Sequence, residues 1–233
     1  MDDSGTRPAE VRFHSDDSPL TGLATQYLDT LLRGERHTAS RLILDAVGEG
    51  VSIREIYLHV FQPCQYEIGR LWETNQISVA EEHYVTAATQ LIMSQLYPRI
   101  FSTQKTGRRL VATCVSGELH EIGVRMVADF FEMEGWDAYY LGANTPTKGI
   151  LKTLKSREAD ILAISATITF NLEAMKEMIM EVRSTDVGKE VKILAGGRPF
   201  NLAEDLWQKV GADAYARHAQ GALSIAEQLL SKT

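Results

Sequence analysis

Cysteine is scarce in this chain: Cys64 and Cys114 are the only two in 233 residues. They lie far apart and form no C-x-x-C pair, so they read as reduced, buried thiols of a cytoplasmic protein rather than a disulfide framework. Positive charge is also in deficit. With 24 Lys and Arg against 31 Asp and Glu, the net charge is −7, which argues against a nucleic-acid surface, since phosphate binding needs clustered cations. No apolar run approaches the length of a membrane span, and the N-terminus has no signal-peptide hydrophobic core. Internal repeats and low-complexity tracts are missing. So is any nucleophile–base pair, and the chain is not read as an enzyme.

What is present is ordinary globular composition, 44% apolar and 24% charged, at a length suited to one large domain or two small ones. Residues 1–19 are polar and aperiodic, and are expected to be a disordered leader. From Leu20 onward the apolar period is helical. Leu20, Leu23, Tyr27, Leu28 and Leu31 mark one helix face, and Ala39, Leu42, Ile43, Ala46 and Val47 mark a second. Ser52 with Glu55, and Ser78 with Glu81, form capping-box patterns that open a third and a fourth helix. Pro63 is expected to kink the third. Residues 20–103 therefore read as a four-helix bundle.

Gln104-Lys105-Thr106-Gly107 is the expected hinge. Beyond it, over 108–233, short apolar strands at 110–115, 138–141, 161–165, 191–195 and 212–215 alternate with helices near 121–134, 147–157, 171–184, 201–209 and 219–231. That alternation implies an α/β domain with a five-stranded, doubly wound parallel sheet.

The chemistry gathers at strand ends. The first strand runs into Ser116-Gly117-Glu118-Leu119-His120-Glu121-Ile122-Gly123, a loop presenting one imidazole at the sheet edge where such folds bind ligands. A carboxylate two residues away can fix the histidine tautomer. Ser165 and Thr167 close the third strand and Gly196-Gly197 the fourth, while Tyr215 ends the fifth. Hydroxyls and paired glycines there suit hydrogen bonding and close approach of a bulky group.

Glu118-x-His120-x-x-Gly123 resembles the Asp-x-His-x-x-Gly signature of cobalamin-binding domains, with glutamate in place of aspartate. Both domains, in order, resemble that family over roughly residues 20–231. The resemblance implies a flavodoxin- or Rossmann-like sheet domain behind a helical cap. It makes His120 the lower axial ligand of cobalt and places Ser116, Gly117, Glu118, Glu121, Ile122 and Gly123 around it. The nucleotide tail would then enter a slot beside Ser165, Thr167, Gly196, Gly197 and Tyr215.

Within the family, Trp72, Val79, Glu82 and His83 resemble the upper-face set of adenosylcobalamin-dependent photoreceptors. That resemblance implies a standalone light sensor binding adenosylcobalamin, with biliverdin as a possible second chromophore held without a thioether. Its output would pass through a homo-oligomer, dimer or tetramer, or to a downstream signalling protein, without DNA or membrane contact. The alternative is a methyl-carrying corrinoid protein of a methyltransferase system. A flavin or phosphate binder using the same sheet edge is a third reading, which leaves His120 unexplained.

Overall fold

A computed structural model describes residue 11 and residues 18–101, 104–203 and 205–231. Most of the expected leader thus lies outside the described residues. The chain divides into two compact units, one ending at Arg99 and one beginning at Ile100.

In the first unit, α1 (Thr21–Leu32) and α2 (Arg36–Gly48) pair through a tight turn in which Gly34 takes a positive φ. A third rod follows. It opens at α3 (Ile53–Ile56), passes through a π-helical stretch (Tyr57–Phe61) and continues as α4 (Gln62–Glu73). The fourth is α5 (Val79–Leu96). Both expected capping boxes form, with Glu55 N–H donating to Ser52 and Glu81 N–H to Ser78. At the expected kink the helix does not break. It widens, and Gln62 N–H reaches back to Tyr57 O in a π turn just ahead of Pro63, which has no N–H to offer. Tyr27, Leu28, Tyr57, Phe61, Leu71 and Met93 fill the bundle core, with Tyr27 and Tyr57 each tilted against Phe61.

The second unit is a parallel five-stranded sheet: β1 (Arg109–Cys114), β2 (Asp137–Gly142), β3 (Ile161–Ser165), β4 (Lys192–Gly196) and β5 (Ala214–Ala216). Their spatial order is β2-β1-β3-β4-β5. Period-two alternation divides the strand side chains between two cores. Val111, Leu162, Ile164, Ile193 and Ala195 face one side, while Leu110, Ala112, Ile161, Ala163 and Leu194 face the other. The first core packs under α7 (Thr147–Arg157) and α8 (Leu172–Arg183), and the second under α6 (Ile122–Met133) and α12 (Ala219–Ser231). This is the expected α/β, doubly wound class.

Three details differ from the sequence expectation. A short α9 (Asp186–Glu190) precedes β4, capped by Thr185. The helix expected at 201–209 is two pieces, α10 (Arg198–Leu202) and α11 (Leu206–Val210), because Ala203 turns extended and ends the first. The expected hinge residues are anchored to the sheet unit. Lys105 Nζ bonds Glu132 and Asp137 as well as the Trp136 carbonyl, and Thr106 N–H donates to Gly135 O.

Gly135 makes that anchoring possible. It has φ +79°, and a Cβ there would sit 2.1 Å from Gln104 O. Gly135→Ala is therefore expected to cost about 2 kcal/mol or more, read from urea unfolding, and to speed proteolysis at 104–107. Gly123→Ala, in helix α6 with open space around its Cβ position, is expected to be neutral or slightly stabilising.

Candidate functional site

Strand order reverses between β1 and β3, so the crevice at their carboxyl ends is flanked by the loop after β1 and the loop after β3. Glu118 spans that crevice. Its side chain is fully buried, and its two oxygens serve different loops. Oε1 accepts from His120 N–H at 3.0 Å and lies 2.5 Å from His120 Nδ1. Oε2 accepts from Thr167 N–H at 2.8 Å, Ile168 N–H at 3.1 Å and Asn171 Nδ2 at 3.0 Å. Burial alone would raise its pKa. The hydrogen bonds from His120, Asn171 and Thr167 outweigh burial and hold the carboxyl well below the usual range. Glu118 is thus an anion that only accepts, so His120 Nδ1 carries the proton and the lone pair of the neutral ring sits on Nε2. The His120 side chain is 41% exposed at the edge.

The loop is braced from the β2 side as well. Gly117 N–H donates to Asn144 Oδ1 at 3.0 Å. Glu121, expected beside the cofactor, accepts from Ala143 N–H at 2.9 Å and from the Tyr140 hydroxyl. Burial and that bond push the Tyr140 phenol above its ordinary value, so it stays a donor. Ile122 turns into the core, whereas Ser116 and Gly123 are exposed. Cys114 is buried, as expected, with Sγ 3.6 Å from His120 O.

The other strand-end residues lie along the same edge. Ser165 is only 6% exposed, and its hydroxyl has no hydrogen-bond partner among the described residues. Gly197 has φ +111°, and a Cβ there would fall 1.9 Å from Ala166 O, so its role is close backbone packing. At Gly196 a Cβ would meet nothing nearer than Ala216 O at 3.9 Å, leaving the space above the strand open. Tyr215 is half-buried on β5. His218 Nδ1 accepts from Gly221 N–H at 3.1 Å at the start of α12. Asn171 was not anticipated as a site residue.

In the helical unit, Trp72 closes α4 at 42% exposure and Val79 opens α5 at 50%. Glu82 and His83, three and four residues on, share the face of Val79. Glu82 Oε2 lies 2.5 Å from His83 Nδ1, and its Oε1 accepts from Thr86 at 2.9 Å. These residues belong to a different unit from His120.

An imidazole tied through Nδ1 to a buried carboxylate, at the crevice of a parallel sheet, can offer its other nitrogen to a metal. Among the described residues no group of three or more His, Cys, Asp or Glu side chains could hold a metal ion. Comparison with known proteins gives the class: the B12 binding domain family matches residues 108–225, and a second B12 binding domain family matches 23–97. The chain belongs to the B12 binding domain family and is a cobalamin-binding protein with a helical domain ahead of its sheet domain. It is 29% identical over 166 residues to dimethylamine corrinoid protein 1 of Methanosarcina mazei, covering 71% of this chain and 74% of the relative. Its fold is that of the monomethylamine corrinoid protein of Methanosarcina barkeri, with TM-score 0.79 and 19% identity over 90% of this chain and 99% of that one. A methanol:cobalamin methyltransferase complex of the same organism also contains a chain of similar fold, with TM-score 0.50 and 18% identity over 95% of this chain and 83% of that one.

These findings overturn the light-sensor expectation. The relatives are corrinoid proteins named for methylamines, and the alternative given with that expectation, a methyl-carrying corrinoid protein, is the one they favour. Trp72, Val79, Glu82 and His83 carried the light-sensor expectation, and it is the relatives that overturn it. No helix among the described residues is long and apolar enough to cross a membrane.

Glu118→Ala would leave the buried Asn171 amide and the Thr167 and Ile168 N–H groups without their acceptor. The expected cost in the cofactor-free protein is roughly 3 kcal/mol, measured by urea unfolding. A cost under about 1 kcal/mol would mean that this network does not hold the two loops together.

Proposed function

We propose that this chain is the corrinoid subunit of a methyltransferase system, carrying a methyl group between partner enzymes. The dimethylamine corrinoid relatives carry this reading, and the His120–Glu118 pair fits a bound corrinoid. A bound cobalt corrinoid supplies a metal–carbon bond on which a methyl group can travel.

The chain's own residues fit such a group. His120 would present Nε2 to the metal, with Glu118 holding the ring by Nδ1. Ser165 offers a hydroxyl for a nucleotide tail, with open backbone at Gly196 beside it. Thr167 and Tyr215 line the same edge. In the helical unit, Trp72 and Val79 offer exposed apolar surface, and Glu82 pairs with His83; residues 20–103 and 108–233 act as separate functional units.

The chain has the role of a carrier, and catalysis falls to the partners. A methyltransferase that loads or unloads the methyl group is the partner class this requires. The corrinoid relatives give no support to an adenosyl upper ligand or to biliverdin.

The test is retention. Protein loaded with hydroxocobalamin and desalted is expected to keep one corrinoid per chain, with the spectrum of a histidine-ligated, base-displaced form. His120→Ala is expected to lower affinity by about 10- to 100-fold and to lose that spectrum. Unchanged retention and spectrum in His120→Ala would overturn the assignment of His120.

A further inference from the structure

Asn171 stands at the N-cap of α8, where asparagine is among the most favoured residues because its side-chain oxygen accepts from the first helical turn. Here it makes no capping hydrogen bond. It is buried, at 8% exposure, and Nδ2 donates to Glu118 Oε2 at 3.0 Å instead. Asn171 closes a 3-10 turn (Thr169–Asn171) that runs straight into α8, and this places its amide against the Glu118 carboxylate.

The geometry explains why. Glu118 lies in the loop after β1 and must orient a ring two residues along its own chain, but a carboxylate fixed at one oxygen can still swing about its final bonds. With Thr167 N–H, Ile168 N–H and Asn171 Nδ2 converging on Oε2, that oxygen is pinned from the β3 side. Oε1 is left at the height of His120 Nδ1. The extra methylene of glutamate, relative to the aspartate of the usual signature, lets the side chain span both loops.

We infer that Asn171 is a positioning residue for His120, acting through Glu118, and that Glu118 and Asn171 work as a matched pair in which neither can be replaced by its nearest analogue. This rests on the proposed role of His120 as cobalt ligand. The ring orientation it describes can be read in protein prepared without cofactor.

Two variants separate positioning from capping. Asn171→Asp caps a helix as well as asparagine but presents an acceptor to Glu118 Oε2. Asn171→Ser also caps and keeps a hydroxyl donor. A purely structural Asn171 predicts that both behave as wild type. The inference predicts that at pH 8 Asn171→Asp shifts the ring ¹⁵N resonances of His120 away from the Nδ1–H tautomer in the cofactor-free protein. It also predicts about tenfold or greater loss of cob(II)alamin affinity and a weaker axial-nitrogen splitting in the electron paramagnetic resonance spectrum. Asn171→Ser is expected to stay within a few-fold of wild type by the same measures. Glu118→Asp, despite matching the signature, is expected to lose affinity as Asn171→Asp does.

Wild-type ¹⁵N shifts and splitting in Asn171→Asp would overturn the inference, as would equal losses in the Ser and Asp variants. If His120→Ala keeps the nitrogen splitting, cobalt ligation by His120 fails, whereas the cofactor-free ¹⁵N shifts still decide the positioning role. Should Asn171→Asp not fold, the Glu118→Asp and Asn171→Ser pair decides: wild-type behaviour in Glu118→Asp, or loss in Asn171→Ser, counts against it.

Discussion

One buried carboxylate organises the ligand edge of the sheet domain. Glu118 takes donors from the loop after β1 and from the loop after β3, the two loops on either side of the point where strand order reverses. A buried anion is costly unless every lone pair finds a donor. With His120, Thr167, Ile168 and Asn171 around it, that condition is met, and satisfying it fixes where the imidazole sits. Charge burial and ligand placement are therefore the same structural fact. A metal ligand set in advance loses less entropy on binding than one ordered by the cofactor.

Other carboxylates brace the sheet where its strands begin. Asp160 accepts from Arg109 N–H, Asp213 from Ile193 N–H and Glu132 from Ala138 N–H. Each satisfies a backbone donor at a strand start, where the ladder has not yet begun. Arg183 pairs with Asp213, and Lys105 with Glu132. The beginnings of β1, β2 and β4 are thus tied by acidic side chains, so the loops at their far ends rest on a stiff frame. The anchoring of residues 104–107 belongs to the same frame, which is why a stretch that reads as a polar hinge is held as part of the sheet domain.

Local patterns were legible in the sequence. Strand and helix periods placed nearly every element within a residue or two, and both Ser-x-x-Glu boxes formed, because those signals depend on residues three or four apart. Gly196-Gly197 and His120 were legible as edge features, since they follow apolar strands. What could not be read was direction. Whether Glu118 faced His120, and whether Glu121 did, depended on donors far along the chain, in the β3 and β2 loops. Asn171 fell at the start of an expected helix, and only its contact with Glu118 shows what its side chain does.

The choice between light sensor and methyl carrier shows where local reading ends. Trp72, Val79, Glu82 and His83 are placed by two helices and a turn, and their spacing describes a surface able to cover a large flat ligand. Which group that ligand carries on its far face is a matter of reactivity at the metal, and no residue type at these positions dictates it. The carboxylate–histidine pair is equally silent, since a histidine so held can serve a corrinoid of either kind. Discrimination came from relatives, and in physical terms it belongs to the surfaces that partners recognise. Within the chain itself, the part of function that is written in side chains is the grip on the cofactor, from Glu118 outward.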